Sequence, residues 1–496
     1  MKRVVTVVWV MLGVAAMAWG DLKSDIQAVL GDKLLAKAKV GIEIVRLGRT
    51  AGEDHVLYQH ESERPLIPAS NMKVLTTSAA LEVLGADFRF RTVLARRGED
   101  LVLVGDGDPS FGDAEMLRKH GWGATTVFAE WGGQLKKAGM TKFRDVLVDD
   151  SVFDEVRVHP NWPAAQEQSR YVAQVGGMSL NANCIDFYVQ NGGVGKVVSY
   201  RTEPPTGYVS VHNSCVGGGE NAVWLTRQRG VNQIVLKGTC KARSEGPVAV
   251  TIHDPGMYAA TVLAETLRAG GIEIEGKVGR DRTVRGKLMV EKPEAGYAVL
   301  AVHETPIGAV LARANKDSMN LYGESLCKRV GFAMSGQSGS WENGTAAVGA
   351  FLKRAGAAEN QFHLDDGCGL ARLNTVSPHT MILVLEHNFH GKQRAEFMSS
   401  MAVGGQDGTL DKRFREAGLR GKVFAKTGYI ANVSALSGYF QAGEDQWYAF
   451  SILMNGLPGG SNSRPKALQE SIVKAIAGQS RGKGGARTEK RETAKR

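Results

Sequence analysis

Pro68-Ala69-Ser70-Asn71-Met72-Lys73 sets a serine and a lysine three residues apart at the head of an apolar run. Residues i and i+3 share one face of a helix, and a serine hydroxyl becomes a useful nucleophile only with a base within hydrogen-bond reach. Ser70 and Lys73 meet that condition. Pro68 marks the helix start, Met72, Val74, Leu75, Ala79, Ala80, Leu81 and Leu84 give it a broad apolar face, and Gly85 marks its end. The spacing alone is common: Ser325-Lys328, Ser463-Lys466, Ser471-Lys474 and Ser480-Lys483 share it. Ser463 reads as a helix cap before Pro465, Ser480 lies in a polar tail, and Ser325 and Ser471 fall inside amphipathic helices.

Two further motifs follow Ser70 in the chain, Ser318-Met319-Asn320 and then Lys426-Thr427-Gly428. Ser179-Leu180-Asn181 also matches the first of these, whereas the Lys-Thr-Gly triplet occurs once. It opens a strand in which Gly428 lets another backbone approach. The order of the three motifs is therefore more informative than any one of them.

Working outward, residues 21–35 read as a helix, 40–45 as a strand, and 88–94 and 101–104 as strands leading to Gly105-Asp106-Gly107-Asp108-Pro109, a turn without the lysine of a phosphate loop. A helix is expected over 124–138, strands and glycines dominate about 183–250, and helices return at 254–269, 307–314, 321–332 and 378–387. Late strands at 421–425, 435–440 and 447–454 precede a last helix over 465–477. The fold class is α+β, with helices flanking an antiparallel set of late strands and a large strand-rich insertion interrupting the domain. The expected divisions are 21–86 and 287–478 for the main domain, 87–286 for the insertion, and a β-rich part at about 183–250.

The chain has 496 residues and a formal charge of +10, enough length for two or three domains. Met1-Lys2-Arg3, the apolar stretch that follows and small residues near Ala16 to Gly20 read as a signal peptide over 1–20 rather than an anchor, so an exported or periplasmic protein is expected. Residues 481–496 hold seven basic and two acidic side chains. Composition gives 479–496 as a disordered tail, suited to weak contact with a membrane or anionic polymer. No basic, aromatic-studded face points to nucleic acid. Five cysteines allow two disulfides, and Cys215 and Cys240, each beside a strand candidate, are the expected pair. Cys184, Cys327 and Cys368 read as buried thiols. Neither HExxH nor a zinc spacing occurs, so no metal and no cofactor is expected.

The ordered motifs resemble those of class A β-lactamases and penicillin-binding proteins. With Asp149-Asp150-Ser151-Val152-Phe153, Asp366-Gly367-Cys368-Gly369-Leu370, Asp407-Gly408-Thr409-Leu410, the Gly105 to Pro109 loop and the insertion, the chain resembles the D-alanyl-D-alanine carboxypeptidase/endopeptidase family, the class C low-molecular-mass penicillin-binding proteins. It departs at Cys368, usually serine, and at Tyr429, usually small or hydroxylated. The resemblance implies a β-lactamase/transpeptidase-like domain. It also implies a serine-type D-Ala-D-Ala carboxypeptidase, with possible DD-endopeptidase action, on peptidoglycan peptides, with β-lactams as inhibitors. Ser70 would be the nucleophile and Lys73 its base, its pKa lowered by nearby Lys426. Ser318 would relay a proton to the leaving amine, and Asn320 would hold Lys73 and the substrate. The N–H groups of Ser70 and Tyr429 would form the oxyanion hole. Lys426, Thr427 and Gly428 would bind the terminal carboxylate, while Arg372 and Glu167 would grip the charged end of a diaminopimelate side chain. The competing readings are a β-lactamase or esterase of the same fold, and a non-catalytic wall-binding protein.

Overall fold

Strands from the two ends of the chain form the sheet that carries the motifs. In a computed structural model that describes residues 21–242, 246–290 and 294–492, Ala402–Val403, Val423–Ile430, Val433–Gly443 and Gln446–Asn455 run antiparallel in that order. Lys39–Leu47 and then His55–His60 extend the same antiparallel sheet to six strands. Successive side chains on a strand point to opposite faces. Ile42, Ile44, Phe450, Ile452 and Met454 therefore pack against Leu22, Ile26, Ile472 and Ile476 of the first and last helices, Leu22–Leu30 and Ser463–Glu492. Ala435, Tyr439, Ala449 and Leu453 face the other way, onto the helices Met72–Leu84, Asn320–Ser335, Trp341–Arg354 and Pro378–His390. The sheet is thus covered by helices on both faces, as expected.

The helix after Ser70 is buried more completely than a one-faced pattern predicts. Every side chain from Met72 to Leu81 is buried, the condition of a helix at the centre of a core. Its polar side chains are satisfied internally: Thr77 and Ser78 donate to the carbonyls of Lys73 and Val74, both at 2.6 Å, and Thr76 donates to Gly367 O at 2.7 Å.

The insertion has its own core, with Phe128, Trp131, Phe187 and Tyr258 fully or almost fully buried. One sheet runs in the order Val278–Arg280, Val146–Asp149, Asp100–Val104, Arg89–Arg97, Tyr297–Pro306. Its last strand pairs along the whole of Arg89–Arg97, so the inserted part reaches to Pro306 and past the expected limit at 286. Two smaller sheets hold seven strands between Cys184 and Thr251, in the stretch expected to be β-rich.

One expectation needs correction. Cys215 and Cys240 are both buried free thiols. Residues 216 and 217 pair in parallel with 239 and 240, which offsets the two cysteines by two residues on neighbouring strands. That offset separates side chains by about 7–8 Å, too far for a disulfide. The Cys240 thiol instead donates to Ala242 O at 2.8 Å. The last helix, Ser463–Glu492, carries its backbone into the stretch that composition gives as a tail. The expected signal peptide lies outside the described residues.

Candidate active site

Ser70 sits in a single tight turn, Ala69–Asn71, that runs directly into the buried helix. Ala69 holds a left-handed φ of 47°, a strained conformation for a residue with a Cβ. Gly369 locks it there, since a Cβ on Gly369 would fall 1.8 Å from Ala69 O. Lys73 Nζ lies 3.0 Å from Ser70 Oγ, 2.7 Å from Asn320 Oδ1 and 3.0 Å from Cys368 O. Burial lowers the Lys73 pKa, and Cys368, Asp366 and Glu324 oppose that shift. Burial, not the expected push from Lys426, leads. The repulsion between the two lysines shows on Lys426, whose pKa falls well below its ordinary value, first through burial and then through Lys73. Both shifts run toward the neutral amine, the form that can accept a proton from Ser70.

Ser318 also has a left-handed φ, 59°, and its Oγ accepts from Lys426 Nζ at 2.8 Å. Lys426 donates again to Thr427 O at 2.8 Å and is fully buried. It lines neither cavity beside Ser70, whereas Thr427 and Gly428 line one of them. Of the residues expected to bind the terminal carboxylate, Thr427 and Gly428 line this cavity directly and Lys426 stands behind Ser318. The strand Val423–Ile430 lies close to the serine turn because Gly428 has no side chain; a Cβ there would meet Pro68 O at 2.7 Å. Asn71 Nδ2 ties the two elements by donating to Lys426 O at 3.1 Å. Beyond Ala425 no strand among the described residues pairs with the outer edge of this strand. Its backbone donors there, including the expected oxyanion position Tyr429, border the cleft. The rival Ser325-Lys328 pair is buried, with Lys328 Nζ held by Asp154 at 2.6 Å and Val156 O at 2.7 Å.

Beneath Lys73 the Asp366 carboxylate organises its loop by accepting five N–H bonds, from Trp162 Nε1, Cys368 N, Gly369 N, Ala371 N and Asn374 Nδ2. Glu324, Asp366 and Cys368 bring ligand atoms within 4.8 Å of one another, but Asp366 has its lone pairs engaged and the cluster has no metal-like donor set. Glu324 accepts from Trp341 Nε1 at 2.6 Å and Gly367 N at 3.0 Å. Burial, with Asp366 beside it, pushes its pKa up to about 7.

A cleft of about 750 Å³ opens beside Ser70, lined by Asn161, Trp162, Gln166 and Tyr171 of the insertion together with Asn320, Leu370, Arg372 and Tyr429. Asn320 reaches both sides of it, holding Lys73 through Oδ1 and donating from Nδ2 to Tyr171 O at 2.8 Å. Arg372 belongs to the cleft, where Nη1 donates to Ala431 O at 3.0 Å. Glu167 does not: it is buried elsewhere, 3.6 Å from Arg227 and 3.2 Å from Arg229. Gln166 takes the place on the cleft wall and accepts from Tyr171 OH at 2.6 Å. Asn161, Gln166 and Tyr171 carry no motif, so nothing in the sequence announces them.

A serine at the head of the buried helix, a buried lysine in contact with it, a second serine–lysine pair and an open strand edge together define a serine acyl-transfer enzyme of the β-lactamase/transpeptidase-like class. A profile of the D-Ala-D-Ala carboxypeptidase 3 (S13) family matches residues 22–479. The chain belongs to that family and is a serine-type D-Ala-D-Ala carboxypeptidase. It is 32% identical over 482 residues to the D-alanyl-D-alanine carboxypeptidase of Actinomadura sp. (strain R39), covering 92% of this chain and 84% of that one. It is 26% identical over 447 residues to D-alanyl-D-alanine carboxypeptidase DacB of Haemophilus influenzae, with 86% and 88% covered. The crystal structure of penicillin-binding protein 4 (dacB) from Haemophilus influenzae superimposes with a TM-score of 0.74 at 23% identity, covering 91% and 99% of the two chains. That likeness bears on the fold.

Proposed function

We propose that the protein hydrolyses peptidoglycan peptides ending in D-Ala-D-Ala, and those cross-linked through D-Ala, by way of an acyl-enzyme on Ser70. The 3.0 Å contact between Ser70 Oγ and the buried Lys73 amine carries this reading. Lys73 takes the proton as Ser70 attacks the carbonyl between the two D-alanines. The N–H groups of Ser70 and Tyr429 receive the oxyanion. Collapse breaks the C–N bond, and the proton taken up by Lys73 is relayed through Ser318 to the departing amine, which leaves Lys73 neutral again. Water then attacks the ester, with Lys73 as its base, and releases Ser70. Arg372, on the cleft wall beside Gln166, meets the residue upstream of the scissile bond. The same route accepts a β-lactam, whose ester with Ser70 persists. The leader at 1–20 supports export, where the basic tail meets anionic wall polymer or lipid; no helix among the described residues is long and apolar enough to cross a membrane.

Incubation with labelled penicillin, followed by peptide mapping, tests the assignment. The expected result is one adduct, on the peptide carrying Ser70, that Ser70→Ala eliminates without loss of folding. Absence of any label rejects the acyl-enzyme, and rapid loss of label with drug hydrolysis assigns a β-lactamase instead.

A further inference from the structure

The turn that carries Ser318 is left-handed, a conformation that a residue with a Cβ keeps only where its surroundings over-determine it. The helix Ile307–Asn315 ends just before this turn, and Arg313 of that helix grips it twice. Arg313 O accepts from Met319 N at 3.3 Å, and Nη1 donates to Asp317 Oδ2 at 2.9 Å. The other edge of the guanidinium faces the insertion, where Nε and Nη2 donate to Asp113 Oδ2 at 3.3 and 3.0 Å. Tyr322 OH donates to the same oxygen at 2.6 Å. Asp113 Oδ1 stays within the insertion, accepts from Glu115 N at 3.0 Å and caps the turn that follows. One carboxylate therefore serves two domains, one oxygen to each.

We propose that Asp113 is a positioning residue for acyl transfer: through the Arg313 guanidinium it holds Asp317, and so fixes the turn that aims Ser318. The inference rests on the proton relay proposed for Ser318. Three observations support it. Asp113, Tyr322 and Arg313 are all buried, so the tether runs through an interior where a charge-assisted pair is strong and costly to break. The insertion also holds its own end under strain. Asn181, Ala182 and Asn183 are three successive left-handed residues, with φ of 49°, 51° and 56°. The Asn181 side chain accepts from Ala114 N at 3.2 Å and donates to Cys184 O and Glu203 O, both at 3.1 Å. The Ser179-Leu180-Asn181 copy of the second motif thus braces the segment beside Asp113. Finally, the Asp317 charge draws the Lys426 amine toward its protonated form, against burial and Lys73. Where Asp317 stands therefore bears on both members of the Ser318–Lys426 pair.

The test measures kcat and KM for an acyl-D-Ala-D-Ala peptide in the full-length enzyme, well below its thermal midpoint. Asp113→Asn keeps a cap for the insertion turn but removes the charge that fixes Arg313. It is expected to lower kcat about tenfold or more, with KM within about threefold of wild type, as for a small misplacement of a catalytic group. Asp317→Ala, at an exposed side chain, is expected to do the same, and supplies the readout if Asp113→Asn does not fold. The double variant is expected to lose no more than the worse single one, because both changes cut one route. Asp100→Asn is the control: it alters a buried carboxylate held by Arg97 and Arg144 elsewhere in the insertion. It is expected to lower the urea midpoint and leave kcat at the wild-type value. Wild-type kcat in either single variant, losses that multiply in the double, or an equal loss in Asp100→Asn would each overturn the tether. In those cases the penicillin label on Ser70 still forms and the reaction stands. A wild-type protein that neither takes the label nor cleaves the peptide overturns both.

Discussion

Glu324 and Lys73 are buried side by side with opposite preferences, and pH separates them. Glu324 binds its proton more tightly in the folded protein, at about 7 against 4.5 for the free group. A carboxyl raised in this way stabilises the fold fully below its unfolded pKa, and that contribution is lost as pH rises through about 7. The difference amounts to on the order of 3 kcal/mol. Glu324→Gln keeps the acceptor for Trp341 Nε1 and Gly367 N and removes the titration. Urea midpoints at pH 5 and pH 8 are therefore expected to fall less in this variant than in the wild type. Equal falls would show that other groups carry the pH dependence. At this scale the sequence was legible where a side chain acts by its own chemistry: Ser70, Lys73, Ser318 and Asn320 are named by motif and converge in the fold. It was silent where a side chain acts by direction. Glu167 has the right charge one residue from the cleft, but its turn aims it at Arg227 and Arg229.

Between elements, the decisive contacts are glycines. Gly369 presses on Ala69 and so holds the serine turn in its left-handed conformation. Gly369→Ala adds a Cβ into that carbonyl at a φ of 86°, and displacement of Ser70 by about 1 Å is expected to slow penicillin acylation roughly 100-fold. Gly121→Ala is the control: its φ of 73° carries the same backbone strain, but no atom lies within 4 Å of the new Cβ. A similar loss in both would assign the effect to strain rather than to the serine turn. The same chemistry explains what the sequence concealed. Trp341–Arg354 contains Gly344 and Gly349, which weaken a helical pattern, yet Gly344 lets this helix approach Cys327 O, where a Cβ would stand 2.6 Å away. A glycine that looks like a breaker in one dimension is a helix contact in three. Strong periodicity without glycine, as in Gln446–Asn455, was readable from the start.

Across the whole molecule, the insertion is joined to the main domain at its core as well as at the cleft. Asp113 of the insertion accepts from Arg313 Nη2 at 3.0 Å and from Tyr322 OH at 2.6 Å, and both partners are buried. Asp113→Ala leaves the guanidinium with only its more exposed partners, Glu115 and Asp317, and is expected to cost about 3 kcal/mol. A urea midpoint unchanged from wild type would show that those two suffice. The insertion limit at 286 was misplaced because a strand returning to an early sheet resembles the start of a new domain until its partner is known. The six-stranded sheet has one further consequence, which concerns time. Lys39–Leu47 lies between His55–His60 and Gln446–Asn455, so its place in the sheet is made by a strand some four hundred residues later. A chain emerging from the ribosome or through a membrane carries Ser70 and Lys73 from early in its synthesis, but the triplet strand and the neighbour that closes the sheet arrive almost last. Chains stopped before Gln446 are therefore expected to take no penicillin label.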